Sequence, residues 1–225
     1  MELLGLIRNH ALVSLLAASL ALPASSPPTS RPLLVVGFSD DRVEMVERAV
    51  ELYREAGLEL PPLVVRRSDS DEVCRGRIAF HRSEGAGSEI VLCYPSVARR
   101  EWRILLHELG HAWASVGLTD AHRAAFQDVR GFEYWRDYQR ADWRDNGTEQ
   151  AAEVLKWALS DVPVPVFIAD DSCEQLHDGY VALTGSEPPH GLADLCRGDV
   201  AADAGASNRA GHQPPGAPAT PPDRW

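Results

Sequence analysis

The chain has 225 residues, a formal net charge of −11 at neutral pH and four cysteines. Its positive charge comes almost wholly from arginine, with Lys156 as the only lysine, and no basic stripe interrupts the acidic balance. This composition argues against nucleic acid as the main partner.

The first 24 residues are typical of a secretory signal peptide. A weakly positive start precedes an apolar run from Ala11 to Leu22, and small residues follow where cleavage is expected. The run is too short and too weakly flanked to predict a stable membrane span, although an uncleaved N-terminal anchor is the alternative. We therefore expect residues 1–24 to be removed and the protein to be secreted, outside the cell or into its envelope.

One folded domain is predicted between two low-complexity segments. Residues 25–32 form a Ser/Pro linker, and residues 198–225 form a Pro/Ala/Gly-rich tail that is expected to be disordered, because it cannot bury enough apolar surface. The remaining 33–197, about 165 residues, suffices for one hydrophobic core.

The predicted elements of this domain mix strands and helices in an α+β arrangement. An apolar strand at 33–38 leads into a helix that Ser39 caps and Gly57 closes. A strand at 63–67 and a hairpin of strands 76–82 and 88–93 follow. Helical periodicity then predicts four helices, at 96–116, 120–129, 148–160 and 171–184.

The cysteines are predicted to form two disulfides. None has CxxC spacing, and an even count in an exported chain favours disulfides over a thiolate metal site. Of the three possible pairings we favour Cys74–Cys93 and Cys173–Cys196, because each pair closes a local loop. The first would then staple the ends of the predicted hairpin.

The stretch LLHELGHAW, residues 105–113, places His107, Glu108 and His111 in the order HExxH within a predicted helix. Histidines four residues apart lie on one helix face, so both imidazoles can reach one zinc ion at about 2.1 Å. Glu108 would lie beside the ion and accept a proton from zinc-bound water, as a general base. Two histidines that merely share a helix face are the alternative, and a third ligand decides between them.

Two solutions for the third ligand can be compared. The pattern HExxHxxGxxH fails, because Ala114 and Gly117 occupy its glycine and histidine positions. The stretch GTEQAAE instead offers Glu149 as a ligand, with Glu153 one turn later to accept a hydrogen bond from the far nitrogen of a zinc histidine.

The structural alternatives for Glu149 are an acid that stabilises the helix N-terminus, or the acid of a capping box with Asn146. If Glu149 is not the ligand, Glu153 is next, followed by Asp142, Asp145 or His122.

The two motifs together resemble the gluzincins, zinc metallopeptidases in which HExxH is completed by a glutamate on a later ExxxD or ExxxE helix. The resemblance covers residues 97–160 at most. It implies His107, His111 and Glu149 as ligands of one zinc per chain, with Glu108 as general base and Glu153 as the partner of a ligand. It also implies a zincin-like α+β fold, a small mixed sheet packed on the HExxH helix and on the glutamate-bearing helix. The chain is too short for the C-terminal helical domain of larger gluzincins, so it looks like a minimal secreted zincin.

These features predict a secreted zinc metallopeptidase, a monomer acting on a peptide or protein substrate. Strand 88–93 is the predicted sheet edge along which an extended substrate lies. A non-catalytic zinc-containing binding module and a cell-wall peptide amidase are the alternatives.

A hydrolase of this kind also needs a hydrogen-bond donor for the developing oxyanion, and nothing in the spacing selects one. The candidates are Tyr134, Tyr138, Arg144, His177 and Tyr180. We interpret three tryptophans as core residues, Trp135, Trp143 and Trp157. We assign no role to His81 or His190.

Overall fold

The structure is a computed structural model that describes residues 32–94, 96–136, 139, 142–191 and 196. The predicted signal peptide (1–24), the linker apart from Pro32, and the tail (198–225) lie outside these residues. The described residues combine helices with a small mixed sheet, which confirms the α+β class.

The sheet has four strands, and its order differs from the order along the chain. The strands are β1 (Leu33–Val36), β2 (Leu63–Ser68), β3 (Ala79–Glu84) and β4 (Gly87–Cys93). They lie in the order β1-β2-β4-β3; β1, β2 and β4 are parallel, and β3 is antiparallel to β4. The helix α1 (Asp40–Glu55) makes the crossover from β1 to β2 that a parallel pair requires.

The prediction that strand 88–93 forms the sheet edge is wrong. In the structure this strand is β4, which pairs with β2 on one side and with β3 on the other. Its backbone donors and acceptors therefore serve the sheet, and the consecutive apolar residues Ile90–Cys93 are buried. Among the described strands, β3 occupies the edge beside β4.

The hairpin of β3 and β4 begins later than predicted. A short helix, α2 (Asp71–Cys74), ends at Arg75 in the left-handed region and is followed by Gly76 at φ +76°, so the chain turns before Ala79. Cys74 and Cys93 then meet at the open end of the hairpin with their Cα atoms 5.8 Å apart, which confirms their predicted pairing.

The remaining helices correspond closely to the predicted ones. They are α3 (Ala98–Gly117), α4 (Asp120–Arg130), α5 (Gly147–Leu159) and α6 (Cys173–Thr184), with a 3₁₀ turn at Trp143–Asp145 that the sequence analysis did not predict. The predicted pairing of Cys173 with Cys196 is also confirmed, with the Cα atoms 5.7 Å apart. Within the described residues, the helices are too short or too polar to cross a bilayer.

The helix α3 forms the centre of the core, between the sheet and α5. Leu105, Leu106 and Leu109 are fully buried, and the hydroxyl of Tyr53 on α1 donates a hydrogen bond to the carbonyl of Leu106 at 2.8 Å. Burial of this kind on both sides fixes the axial rotation of α3.

The two helices that carry the motifs approach closely at Gly110. A Cβ atom at Gly110 would lie 2.9 Å from the Cα and 3.2 Å from the Cβ of Ala152 on α5. Glycine at this position therefore lets α3 and α5 approach more closely than any residue with a side chain would allow. This contact brings His107 and His111 opposite Glu149 and Glu153.

Candidate metal centre

Three potential ligand atoms converge between α3 and α5. Nε2 of His107 lies 3.1 Å from Nε2 of His111 and 3.1 Å from Oε2 of Glu149, which in turn lies 3.2 Å from Nε2 of His111. A tetrahedral zinc ion with bonds of about 2.1 Å separates its ligand atoms by about 3.4 Å. The three side chains are thus at separations that suit one small cation, and His107, His111 and Glu149 form a group that could hold it.

The chemistry of this donor set also favours a cation. Two imidazole nitrogens that face each other across 3.1 Å repel through their lone pairs unless a proton or a metal lies between them. Two nitrogens and a carboxylate oxygen are a ligand set that suits zinc and leaves a coordination position open.

The structure places Glu153 where the motif predicted it. Oε1 of Glu153 lies 2.9 Å from Nδ1 of His107, the nitrogen on the far side of the ring from the converging group. Oε2 of Glu153 accepts a hydrogen bond of 2.8 Å from the backbone N–H of Phe167. A ligand whose far nitrogen is held in this way has a fixed tautomer and ring orientation.

Lys156 completes this arrangement, a role that was not predicted from the sequence. The side chain is buried, and its Nζ lies 2.6 Å and 2.7 Å from the two carboxylate oxygens of Glu153. The signal that could have revealed it is a single lysine three residues after Glu153 on an otherwise apolar helix face.

The electrostatics of the metal-free group are dominated by these contacts. Burial disfavours the charged form of His107, but hydrogen bonds to Glu149 and Glu153 outweigh it and raise the pKa of His107 to about 10. Burial likewise favours neutral carboxyl groups, but the imidazoles hold the pKa of Glu149 well below its usual range. Without a metal, a proton on His107 thus takes the place of the cation.

Glu108 lies beside the three converging ligands but is not one of them. Its side chain is buried and lines the cavity, and it makes no hydrogen bond or ion pair with any residue that the structure describes. Burial raises the pKa of Glu108, although His111 and His107 act in the opposite direction. The carboxyl group of Glu108 is therefore buried at the cavity wall, beside the converging ligand atoms.

The converging group opens onto a cavity of about 920 Å³. One wall is the edge strand β3, and Trp143 covers the imidazole of His107 with ring centroids 5.8 Å apart. Trp135 also lines the cavity, whereas Trp157 is buried in the core. Trp157 is therefore a core residue as predicted, whereas Trp135 and Trp143 are partly buried, pack against the core and also line the cavity.

His81 was also assigned no role, yet it lies in this wall. Its ring is nearly parallel to that of His111, with centroids 6.3 Å apart, and its Nε2 lies 2.9 Å from Oγ of Ser88. Burial, with smaller contributions from His111 and Arg136, lowers the pKa of His81 to about 4, so the ring is neutral at physiological pH. A histidine at an alternating strand position gives no sequence signal of this placement, because only the order of the strands creates it.

The candidate oxyanion donors that the structure describes do not line the cavity. Tyr134, Arg144, His177 and Tyr180 are not among the residues that line the cavity, and Tyr138 lies outside the described residues. Tyr180 is buried in the core, and His177 bonds Glu187 at the surface.

The alternative ligands other than Glu153 are not part of the converging group. Asp142 caps the 3₁₀ turn by accepting from the backbone N–H of Trp143, and Asp145 and His122 do not belong to the group.

Comparisons with known proteins do not assign the chain to a family. No family model, no curated protein and no solved structure matches it significantly.

Proposed function

We propose that this protein is a secreted zinc-dependent hydrolase that cleaves peptide bonds. The observation that carries the proposal is the convergence of His107, His111 and Glu149 at metal-ligand separations, beside the buried carboxylate of Glu108 and at the wall of a large cavity. The two disulfides support export, because they persist only in an oxidising compartment.

The chain's own residues divide into holding and reacting groups. His107, His111 and Glu149 would hold the zinc, which when bound supplies Lewis-acid polarisation and lowers the pKa of water. Glu153 fixes the ring of His107 through Nδ1, and Lys156 fixes Glu153 and balances its charge. This support keeps the ligands in place before any substrate arrives.

Glu108 is the proposed general base. It takes a proton from the attacking water and passes it to the leaving amine. Two observations support this role. The carboxylate has no competing partner among the described residues, and burial raises its pKa above that of an exposed glutamate, which makes it a stronger proton acceptor.

The edge strand β3 is the proposed place for an extended substrate, in place of the interior strand 88–93. Residues Ala79–Ser83 line the cavity, and the outer edge of β3 is not paired with another strand of the described sheet. A peptide added along this edge would gain backbone hydrogen bonds and run past the zinc ligands.

His81, from the same strand, is the proposed donor to the oxyanion. Its imidazole is neutral, so with the Ser88 hydroxyl at Nε2 the other nitrogen is free to donate to a developing negative charge.

The direct test is peptide cleavage by zinc-loaded protein and by its Glu108→Gln variant, each assayed for bound zinc. We expect wild type to cleave, and Glu108→Gln to keep its zinc but lose about 10²- to 10⁴-fold in kcat. Glu174→Gln, an exposed change on α6, is the matched control and should leave the rate unchanged. Zinc-loaded wild type that cleaves no peptide, protein or cell-wall peptide would refute the function, as would full activity of Glu108→Gln.

A further inference from the structure

The cavity of the candidate centre is positively charged in a protein that is negatively charged as a whole. Its described lining includes six cationic side chains, Arg77, Arg82, Arg103, Arg123, Arg136 and Lys156, against three carboxylates, Glu108, Glu149 and Glu153. The whole chain carries a formal charge of −11. A lining of opposite sign within an acidic protein attracts anionic groups to one place.

Carboxylates of the protein already pair with three of these cations, namely Arg82, Arg123 and Lys156. Arg82 pairs with Glu84 at 3.0 Å and also with Glu89. Arg123 pairs with Asp120 at 3.0 Å.

Lys156 is held by Glu153, so it is not available to a substrate either. The remaining cations are Arg77, Arg103 and Arg136, and none of them pairs with a carboxylate among the described residues.

Arg103 is the cation best placed to meet a substrate. It lies on α3 one turn before His107, on the same helix face as the two histidines. Its Nε is buried, and it has no hydrogen-bond acceptor among the described residues. A buried donor without an acceptor is costly, so a ligand oxygen that accepts from it is favoured.

The surroundings of Arg103 reinforce this preference for an anion. Its pKa is lowered by burial and by repulsion from Arg99 and Arg100, although attraction to Glu153 opposes these effects. A carboxylate at this position would match the guanidinium with two parallel hydrogen bonds. Because one helical turn rises about 5.4 Å, that carboxylate would lie within about two residues of the cleaved bond in an extended substrate.

We propose that the site selects peptides that carry a carboxylate close to the cleaved bond, and that Arg103 binds this carboxylate. This inference rests on the proposed function, because it refers to the bond that is cleaved. The binding of acidic peptides can nevertheless be measured without cleavage. The carboxylate comes from an acidic side chain or from the substrate's own C-terminus, and both present the same chemistry to the guanidinium.

Binding is measured by titration calorimetry on the zinc-incubated Glu108→Gln protein, which is designed to bind without cleaving. The probes are the blocked peptide acetyl-Ala-Ala-Glu-Ala-Ala-amide, its Gln analogue, and that Gln analogue with a free C-terminal carboxylate. We expect at least one carboxylate peptide to bind about tenfold or more tightly than the blocked Gln peptide. Tighter binding of the Glu peptide would identify an acidic side chain as the source of the carboxylate. Tighter binding of the peptide with a free C-terminus would identify the substrate's own C-terminus.

Two substitutions in the same background separate Arg103 from general charge. Arg103→Gln should abolish the preference, and Arg103→Lys should restore only part of it, because a lysine cannot make the paired hydrogen bonds. Arg99→Gln removes the same charge one turn earlier on α3, at an exposed position outside the cavity lining, and should leave the preference intact.

Equal binding of all three probes, no binding of any, or a preference that survives Arg103→Gln would overturn the inference. A preference that is present while zinc-loaded wild type cleaves nothing would refute the hydrolase proposal and leave only the binding of a peptide carboxylate by Arg103 standing. Cleavage by wild type without any preference for a carboxylate peptide would support the hydrolase proposal and refute the inference.

Discussion

Substitution of Gly110 by alanine tests whether the close approach of α3 and α5 builds the metal centre. The added Cβ would lie 2.9 Å from the Cα of Ala152, whereas ordinary contacts begin at 3.4 Å, so the helices must separate by at least about 0.5 Å. Metal ligands tolerate deviations of only about 0.2 Å. A shift of this size moves Glu149 away from the two histidines.

The expected effect on zinc is larger than the effect on stability. Overpacking costs about 1–3 kcal/mol, but alanine recovers about 1 kcal/mol of helix propensity relative to glycine. The metal-free protein should therefore lose at most about 2 kcal/mol, while zinc affinity falls about tenfold or more, which corresponds to 1.4 kcal/mol per factor of ten.

Zinc affinity is measured by competition with a chelator, and stability by chemical unfolding of the metal-free protein. Gly191→Ala is the matched control, because nothing lies within 4 Å of a Cβ at that position. Gly110→Ala protein that binds zinc as tightly as wild type would show that the contact at Gly110 does not set the positions of the ligands.

Three further predictions concern the site and its scaffold. In the metal-free protein His107 has a pKa of about 10, so zinc must displace a proton from it. The apparent zinc affinity should therefore rise about tenfold per pH unit, or about a hundredfold between pH 6 and 8. An affinity that does not change with pH would contradict this prediction. His81→Gln should keep zinc but reduce kcat about 10²- to 10³-fold if His81 donates to the oxyanion, and unchanged kinetics would exclude that role. Replacing Cys74 and Cys93 together by alanine should lower the free energy of unfolding by about 3 kcal/mol without loss of zinc, as followed by denaturant unfolding and metal analysis.

The same raised pKa has a consequence for the fold without metal. The folded-state pKa of His107 lies above the ordinary value of 6.5, and those of Glu149 and Glu153 lie below their ordinary value of 4.5, so the contacts among these groups contribute fully between about pH 4.5 and 6.5. That contribution is lost as the pH rises toward 10. The metal-free protein should therefore become less stable across this range, as measured by unfolding at several pH values.

Local sequence patterns predicted the parts of the site that lie on single helices. His107 and His111 share a face because they are four residues apart, and Glu149 and Glu153 do so for the same reason. That these two faces meet depends on Gly110, whose role as a helix contact is visible only in three dimensions. The spacing within each helix is thus a property of the sequence, whereas the pairing of the helices is a property of the packing.

The parts that were missed depend on how distant segments are arranged. The order of the strands places β4 inside the sheet and β3 at the edge, and this order brings His81 to the cavity wall. An uninterrupted apolar run such as Ile90–Cys93 is typical of an interior strand, and that signal was available. Nothing comparable marks Trp143, whose position over His107 follows from a 3₁₀ turn that has no apolar periodicity.

The zinc content of the purified protein is the direct test of whether His107, His111 and Glu149 bind one zinc ion. The measurement is zinc per chain after equilibration with zinc and removal of the excess, for wild type, Glu149→Ala and Glu153→Ala. We predict one zinc in wild type, none with Glu149→Ala, and a weakened but detectable site with Glu153→Ala, since Glu153 only orients His107. Wild type that holds no zinc, or Glu149→Ala that holds as much as wild type, would contradict the account of the metal centre.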